Sequence, residues 1–220
     1  MIAVIIPAHN EARHLGRCLK ALSAAVALAE RDGHRVEILV VLDRCSDGSA
    51  AVARRHGVAT MEVDAGNVGM ARRAGAQWML DRGARWLACT DADSQVPPHW
   101  LVSQLACGAD AVCGTVHVAR WQPWQKAALR ALYQSHYRAE EGHRHIHGAN
   151  LGVCARAYER VGGFQPLPAH EDVRLISDLQ ALGAQIVWTA RHSVATSSRT
   201  RSRAREGFGD YLAGLESLVN

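Results

Sequence analysis

Residues 2–43 read IAVIIPAHNEARHLGRCLKALSAAVALAERDGHRVEILVVLD, and the fold follows from how apolar positions repeat along them. Ile2 to Ile6 is a short, largely β-branched apolar run stopped by Pro7. Such a run reads as a buried strand. From Glu11 to Asp32 the apolar positions Leu15, Leu19, Leu22, Val26 and Ala29 recur at helical spacing, and Gly33 follows as a stop. Val36 to Leu42 is a second apolar strand. Strand, helix and strand succeed one another with no hairpin turn between them, which is the pattern of a right-handed βαβ unit.

The alternation continues outward. Asp43 to Gly48 is a polar turn, Ser49 to His56 a helix, Val58 to Val63 a strand, Val68 to Arg82 a helix closed by Gly83, and Trp86 to Thr90 a fourth strand. The fold class expected is α/β, with a Rossmann-like, mostly parallel central sheet flanked by helices. In such sheets ligands bind beyond the carboxyl ends of the strands. Three polar clusters fall at those ends: Pro7 to Glu11, Asp43 to Asp47, and Asp91 to Asp93. The second half is less regular. Helices are expected over Pro97–Cys107, Trp124–Glu141, Ala155–Val161 and Glu171–Leu182, with strands over Asp110–Val118 and Gln185–Thr189. His143 to Asn150 reads as a polar connection. No repeat or linker interrupts the chain, so one domain is expected, with residues 1–94 as a nucleotide-binding half and 95–220 as an acceptor-binding half.

Asp91-Ala92-Asp93 offers two carboxylates just past an apolar strand. Hard oxygen ligands suit Mg²⁺ or Mn²⁺, which bridge the phosphates of a nucleotide diphosphate, and the small Ala92 lets the backbone approach a ligand. A solvated turn explains the same residues. Asp43, ending the second strand, can accept a hydrogen bond from a base imide. Asp47 reads as a turn or capping residue. Pro7, Ala8, Asn10 and Glu11 present backbone groups, an amide and a carboxylate to the same crevice, and Asn10 also suits a helix cap. His143, His145 and His147 share a face if extended, which fits either a transition-metal site or a polar loop lining a cleft.

Composition narrows the classes. The chain has 220 residues and a formal charge of +4, much of it in Arg199, Arg201, Arg203 and Arg205. That basic segment suits a phosphate-bearing substrate or an anionic membrane surface, and is too modest to argue for nucleic acid. The six Trp are enough to line a site as well as pack. Cys18, Cys45, Cys89, Cys107, Cys113 and Cys154 form no Cys-x-x-Cys pair and read as reduced thiols. Met1 to Pro7 is too short for a signal core, and no apolar run approaches the ~18 residues of a transmembrane helix. A cytoplasmic protein is expected, with peripheral membrane contact possible.

The segments VIIPAHNEARHLGRCL, ILVVLDRCSDGSAAVA, NVGMARRAGAQ and WLACTDADSQVPPHWL, followed in order by GANLGVCARAYERVGGF and HEDVRLISDLQALGAQIVW, resemble family 2 glycosyltransferases of the GT-A fold over residues 2 to 190. The resemblance implies inverting transfer of a sugar from a nucleotide-diphosphate sugar, UDP-linked or GDP-linked, to an acceptor hydroxyl. It implies that Pro7, Ala8, Asn10, Glu11 and Asp43 hold the nucleoside and that Arg72 reaches base or phosphate. Asp91 would contact ribose and Asp93 the metal. Asp172 would be the general base, with Glu171 beside it helping to hold the acceptor. Acidic residues at a helix N-terminus are also simply favourable there. His192 is implied as a third metal ligand, against a plain surface-loop residue. Arg199 to Arg205 suit a flap closing on the diphosphate, against a solvated basic loop.

The pattern departs from the family at Leu42-Asp43-Arg44, where two consecutive acids are common. It also lacks the Gln-x-x-Arg-Trp of processive polymer synthases, which argues for single-sugar transfer. Two other readings stay open. A nucleotidyltransferase would carry a Gly-rich basic loop after the first strand, where PAHNEARHLG stands; a non-catalytic nucleotide-binding module would not need both Asp93 and Asp172. A dinucleotide dehydrogenase would require a G-x-G-x-x-G there, and it is absent.

Overall fold

The computed structural model describes residues 1–200 and 207–219. The first half alternates as its periodicity requires: β1 (Ile2–Ala8), α1 (Ala12–Arg31), β2 (Val36–Asp43), α2 (Ser49–Arg55), β3 (Ala59–Val63), α3 (Val68–Leu80) and β4 (Trp86–Cys89). The second half adds α4 (Trp100–Ala106), β5 (Ala111–Arg120), α5 (Ala127–His136), a 3₁₀ turn at Gly148–Asn150, β6 (Leu151–Cys154), α6 (Ala155–Arg160), α7 (Glu171–Ala181), β7 (Ile186–Ser197) and α8 (Phe208–Ser217). The strands form one seven-stranded sheet in the order β3-β2-β1-β4-β6-β5-β7. All pairings are parallel except those of β6, which runs antiparallel to β4 and β5. Among the described residues no helix is long and apolar enough to cross a membrane, and the six cysteines are free.

Strand pleating sorts the apolar residues into two layers. Ile2, Val4, Ile6, Val40 and Leu42 pack with Leu15, Leu19 and Leu22 of α1 on one face. Ala3, Ile5, Leu39 and Val41 pack with Ala71, Ala76 and Met79 of α3 and with Leu175 and Leu179 of α7 on the other. The polar strand ends are thereby left at one edge of the sheet.

Four elements differ from the sequence expectation. β1 runs through Pro7, which pairs with Val41. Ile5 and Pro7 face the same side, towards β4, and β4 ends opposite Ile5; the missing Pro7 N–H therefore costs no ladder bond. β6 was hidden because it is four residues long with Gly152 inside it. β7 continues past Thr189 to Ser197, because residues 190–193 are looped out between the Gly114–Thr189 and Val116–Val194 pairs. α8, with Gly209 and Gly214 inside it, gave no clear periodic signal.

The α3–sheet contact is closest at Gly75. A Cβ there would lie 2.7 Å from Val41 Cγ2 and 2.9 Å from Ile5 Cγ2, and β-branched core residues cannot swing aside. Gly75→Ala should therefore destabilise the protein by about 1–3 kcal/mol through overpacking, read as a lower urea midpoint at unchanged m-value.

Candidate active site

The C-terminal ends of β1, β2 and β4 open into a cleft of about 1000 Å³, closed on the far side by the start of α7, residues 145–149 and the start of α8. Such a volume is at the top of the range for small-molecule sites and leaves room for two substrates.

The loops around it are tied together by short polar side chains. Asp47 accepts from Ala12 N at 2.9 Å with one oxygen, and from Ser49 N and Ser49 Oγ with the other. It thus caps both α1 and α2, as its turn or capping reading anticipated. Asn10, at φ 53°, accepts from the amides of Ser46 and Asp47. Asp43 is 5% exposed and accepts from three consecutive amides, Ala65 N, Gly66 N and Asn67 N, at 2.8–3.0 Å. That fixes the turn feeding α3, whose own cap is Asn67.

Two guanidinium clamps tie the elements that border the cleft. Arg72 on α3 is buried. Its Nη2 donates to Asp91 Oδ1 at 2.6 Å, and its Nη1 is paired with Glu171 on α7. Small residues make this approach possible. A Cβ on Gly69 would meet Glu171 Cγ at 2.8 Å, and one on Gly148 would meet the Arg72 guanidinium at 2.5 Å. Burial works against the Arg72 charge, but Asp91 and Glu171 outweigh it and raise its pKa. Burial likewise raises the Asp91 carboxyl, against the pull of Arg72. In the second clamp Arg199 donates to Glu11 Oε1 at 2.7 Å and meets Asp93 Oδ2 at 3.0 Å. Burial lowers its pKa, and Asp93 and Glu11 together raise it further. Asp172 stands at the head of α7, where its Oδ2 accepts from Gly148 N at 2.6 Å. Among the described residues, six carboxylates (Glu11, Asp43, Asp91, Asp93, Glu171, Asp172) and three guanidiniums (Arg44, Arg72, Arg199) line the cleft.

Residues 3–159 match the family model described as Glycosyl transferase family 2. The chain belongs to that family. No curated protein matches it. Among solved structures it is similar to S. aureus TarS 1-349 in complex with UDP-GlcNAc, with a TM-score of 0.68 and 13% identity over 99% of this chain and 65% of that one. It is also similar to the mannosyltransferase PcManGT from Pyrobaculum calidifontis in complex with GDP-Man and Mn²⁺, with a TM-score of 0.64 and 17% identity over 92% of this chain and 58% of that one. At these identities the likeness establishes the GT-A fold. The chain spans less than two thirds of the length of either structure.

Within this family member, Pro7, Ala8, Glu11, Asp43, Arg72, Asp91, Ala92, Asp93, Asp172 and Arg199 all line the one cleft, although they come from both halves of the sequence. Two expectations are corrected. Asn10 is not among the lining residues, because its side chain is spent on tying the two loops. His192 lies inside β7, 1% exposed and not among the cleft-lining residues, and among the described residues neither of its buried ring nitrogens has a hydrogen-bond partner. A third qualification concerns Arg72. It is turned onto Asp91 and Glu171 and walls the cleft instead of reaching across it. Arg201, Arg203 and Arg205 of the expected flap lie outside the described residues. Among the described residues no three His, Cys, Asp or Glu are grouped to hold a metal ion, so His143, His145 and His147 do not form such a set.

Sequence reasoning missed the Gly148 amide, which nothing in a lone glycine reveals, and an aromatic wall of Tyr137, Phe208 and Tyr211. Phe208 and Tyr211, three apart, were the available signal for the wall.

Two predictions follow from burial. Arg72→Met leaves Asp91 and Glu171 facing each other unneutralised, and should cost about 3–5 kcal/mol in chemical denaturation. Burial lowers the His192 pKa to about 4 from 6.5, with His99 adding to the effect. Between those values the unfolded chain binds the extra proton, so stability is full above pH 6.5 and falls as pH drops towards 4, by on the order of 3 kcal/mol. Urea midpoints across this range should fall less steeply for His192→Leu.

Proposed function

We propose that the chain transfers a sugar, with inversion, from a UDP-linked or GDP-linked donor to an acceptor hydroxyl, assisted by Mg²⁺ or Mn²⁺. The observation that carries this reading is the placement of Asp172 in the same cleft as Asp91 and Asp93, at the head of a different element.

The donor set suits a hard divalent cation. Asp93 and Asp91 supply carboxylate oxygens, Arg199 already seats a positive charge against Asp93, and Mg²⁺-type sites commonly take one or two protein carboxylates with phosphate and water completing the shell. A cation bound there would neutralise the leaving diphosphate. The protein's own part is the rest. Pro7, Ala8 and Asp43 border the nucleoside end. Arg72 holds the Asp91 carboxylate in place, and Arg199 is positioned to turn onto the diphosphate. Asp172, oriented by the Gly148 amide, takes the proton from the attacking hydroxyl at its carboxylate oxygen. Attack from the side opposite the leaving group inverts the anomeric carbon. The mannosyltransferase complex with GDP-Man and Mn²⁺ and the TarS complex with UDP-GlcNAc support a nucleotide-sugar donor and a metal. The absence of the polymer-synthase motif supports transfer of single sugars.

A screen of UDP- and GDP-sugars for slow hydrolysis, with Mn²⁺, Mg²⁺ or chelator, tests the proposal without knowledge of the acceptor. One donor should be hydrolysed in a metal-dependent way, and Asp93→Ala should lower that rate by about 100-fold or more, as expected for loss of transition-state charge stabilisation. Asp172→Asn should keep donor binding and lose transfer by about 100-fold or more. Transfer near the wild-type rate in Asp172→Asn would remove Asp172 as the base.

A further inference from the structure

The acceptor side of the cleft is built from rings. Tyr137, at the end of α5, stacks on His145 with centroids 4.2 Å apart, and His145 stacks on His147 at 5.9 Å. Phe208 meets His147 edge-on at 6.0 Å and is followed at 6.0 Å by Tyr211, which is 37% exposed. All five rings line the cleft.

One ring is held in place by a hydrogen-bond network. Val116 N donates to Tyr137 Oη at 3.0 Å, and Tyr137 Oη lies 2.9 Å from His147 Nε2. Tyr137 thus takes up Nε2 of the ring and leaves Nδ1 as the ring nitrogen for a further partner. Burial, reinforced by His145 and His143, holds the ring neutral by lowering its pKa to about 3. His147 is also the residue immediately before Gly148, whose amide orients Asp172.

We propose that the acceptor is a neutral sugar ring that stacks on the Tyr211–Phe208–His145 wall, with His147 Nδ1 as the ring nitrogen that holds one of its hydroxyls before Asp172. This rests on the glycosyl-transfer reading above and names its acceptor class. The wall interleaves flat apolar faces with a few polar edges, as does a pyranose, with its C–H face and hydroxyl rim. A purely apolar acceptor would leave His147 Nδ1 unmatched. An anionic acceptor would enter a cleft already rich in carboxylates. His147 is thus a specificity residue, and Tyr137 a positioning residue that acts through it.

The test uses methyl glycosides of glucose, galactose, mannose and N-acetylglucosamine as probes, with the full chain, UDP or GDP and Mn²⁺ present. Saturation-transfer NMR should show at least one glycoside bound, with its ring protons receiving the strongest transfer, and binding should weaken tenfold or more in Tyr211→Ala. The same glycoside should accelerate nucleotide release from the sugar nucleotide. In His147→Ala and Tyr137→Phe its KM should rise at least fivefold more than the donor KM. Trp124→Ala, exposed and outside the cleft, should behave as wild type. No bound glycoside in NMR, or equal binding by wild type and Tyr211→Ala, overturns the proposal even if donor hydrolysis is found. Glycoside binding without hydrolysis of any donor would instead sustain the sugar-binding wall and remove the transfer reading.

Discussion

The structure turns on one buried cation. The Arg72 guanidinium bridges Asp91, at the end of β4, and Glu171, at the start of α7, residues that are 80 positions apart in the chain. A guanidinium taken out of water is tolerable only when its charge and N–H groups are met. That requirement ties α3, the central sheet and α7 into one arrangement. It also sets the direction of Asp172. Successive helix residues point about 100° apart, so turning Glu171 inward onto Arg72 leaves its neighbour at the cleft rim, where Gly148 N holds it. The glycines at 69 and 148 serve this arrangement: side chains there would collide with Glu171 and Arg72.

The second clamp repeats the device with a different reach. Arg199 comes from beyond β7 and pairs with Glu11, 188 residues earlier, and with Asp93. Each acid of Asp91-Ala92-Asp93 therefore faces its own guanidinium. The two pairs differ in exposure: the Arg72 side chain is 5% exposed and that of Arg199 33%. The buried clamp reads as framework, and the more open one as the contact that an incoming cation and diphosphate would exchange.

The first half of this architecture was legible in the sequence because its strands are fully apolar, its helices amphipathic, and its polar residues confined to strand ends. Asp43, Asp91 and Asp93 were placed at strand ends that way, and Asp172 was singled out by the family resemblance. What could not be read was pairing. Asn10 carries the residue type of a ligand contact, yet its carbonyl oxygen satisfies two loop amides. Arg72 was expected to reach base or phosphate and not read as a buried bridge, because burial of a charge depends on partners distant in sequence. His192 was misplaced because β7 continues past a loop-out that the sequence does not mark. The aromatic wall drew on α5, residues 145–147 and α8, three segments without a shared periodic signal.

The proposed role of these clamps is to frame a nucleotide site that depends on a divalent cation. Calorimetric titration of UDP and of GDP into the protein, with Mn²⁺ and then with chelator, tests it most directly. One nucleotide should bind with Mn²⁺, and its affinity should fall at least tenfold with chelator and to a similar degree in Asp93→Ala. Binding of neither nucleotide, or binding indifferent to both Mn²⁺ and Asp93, would contradict it.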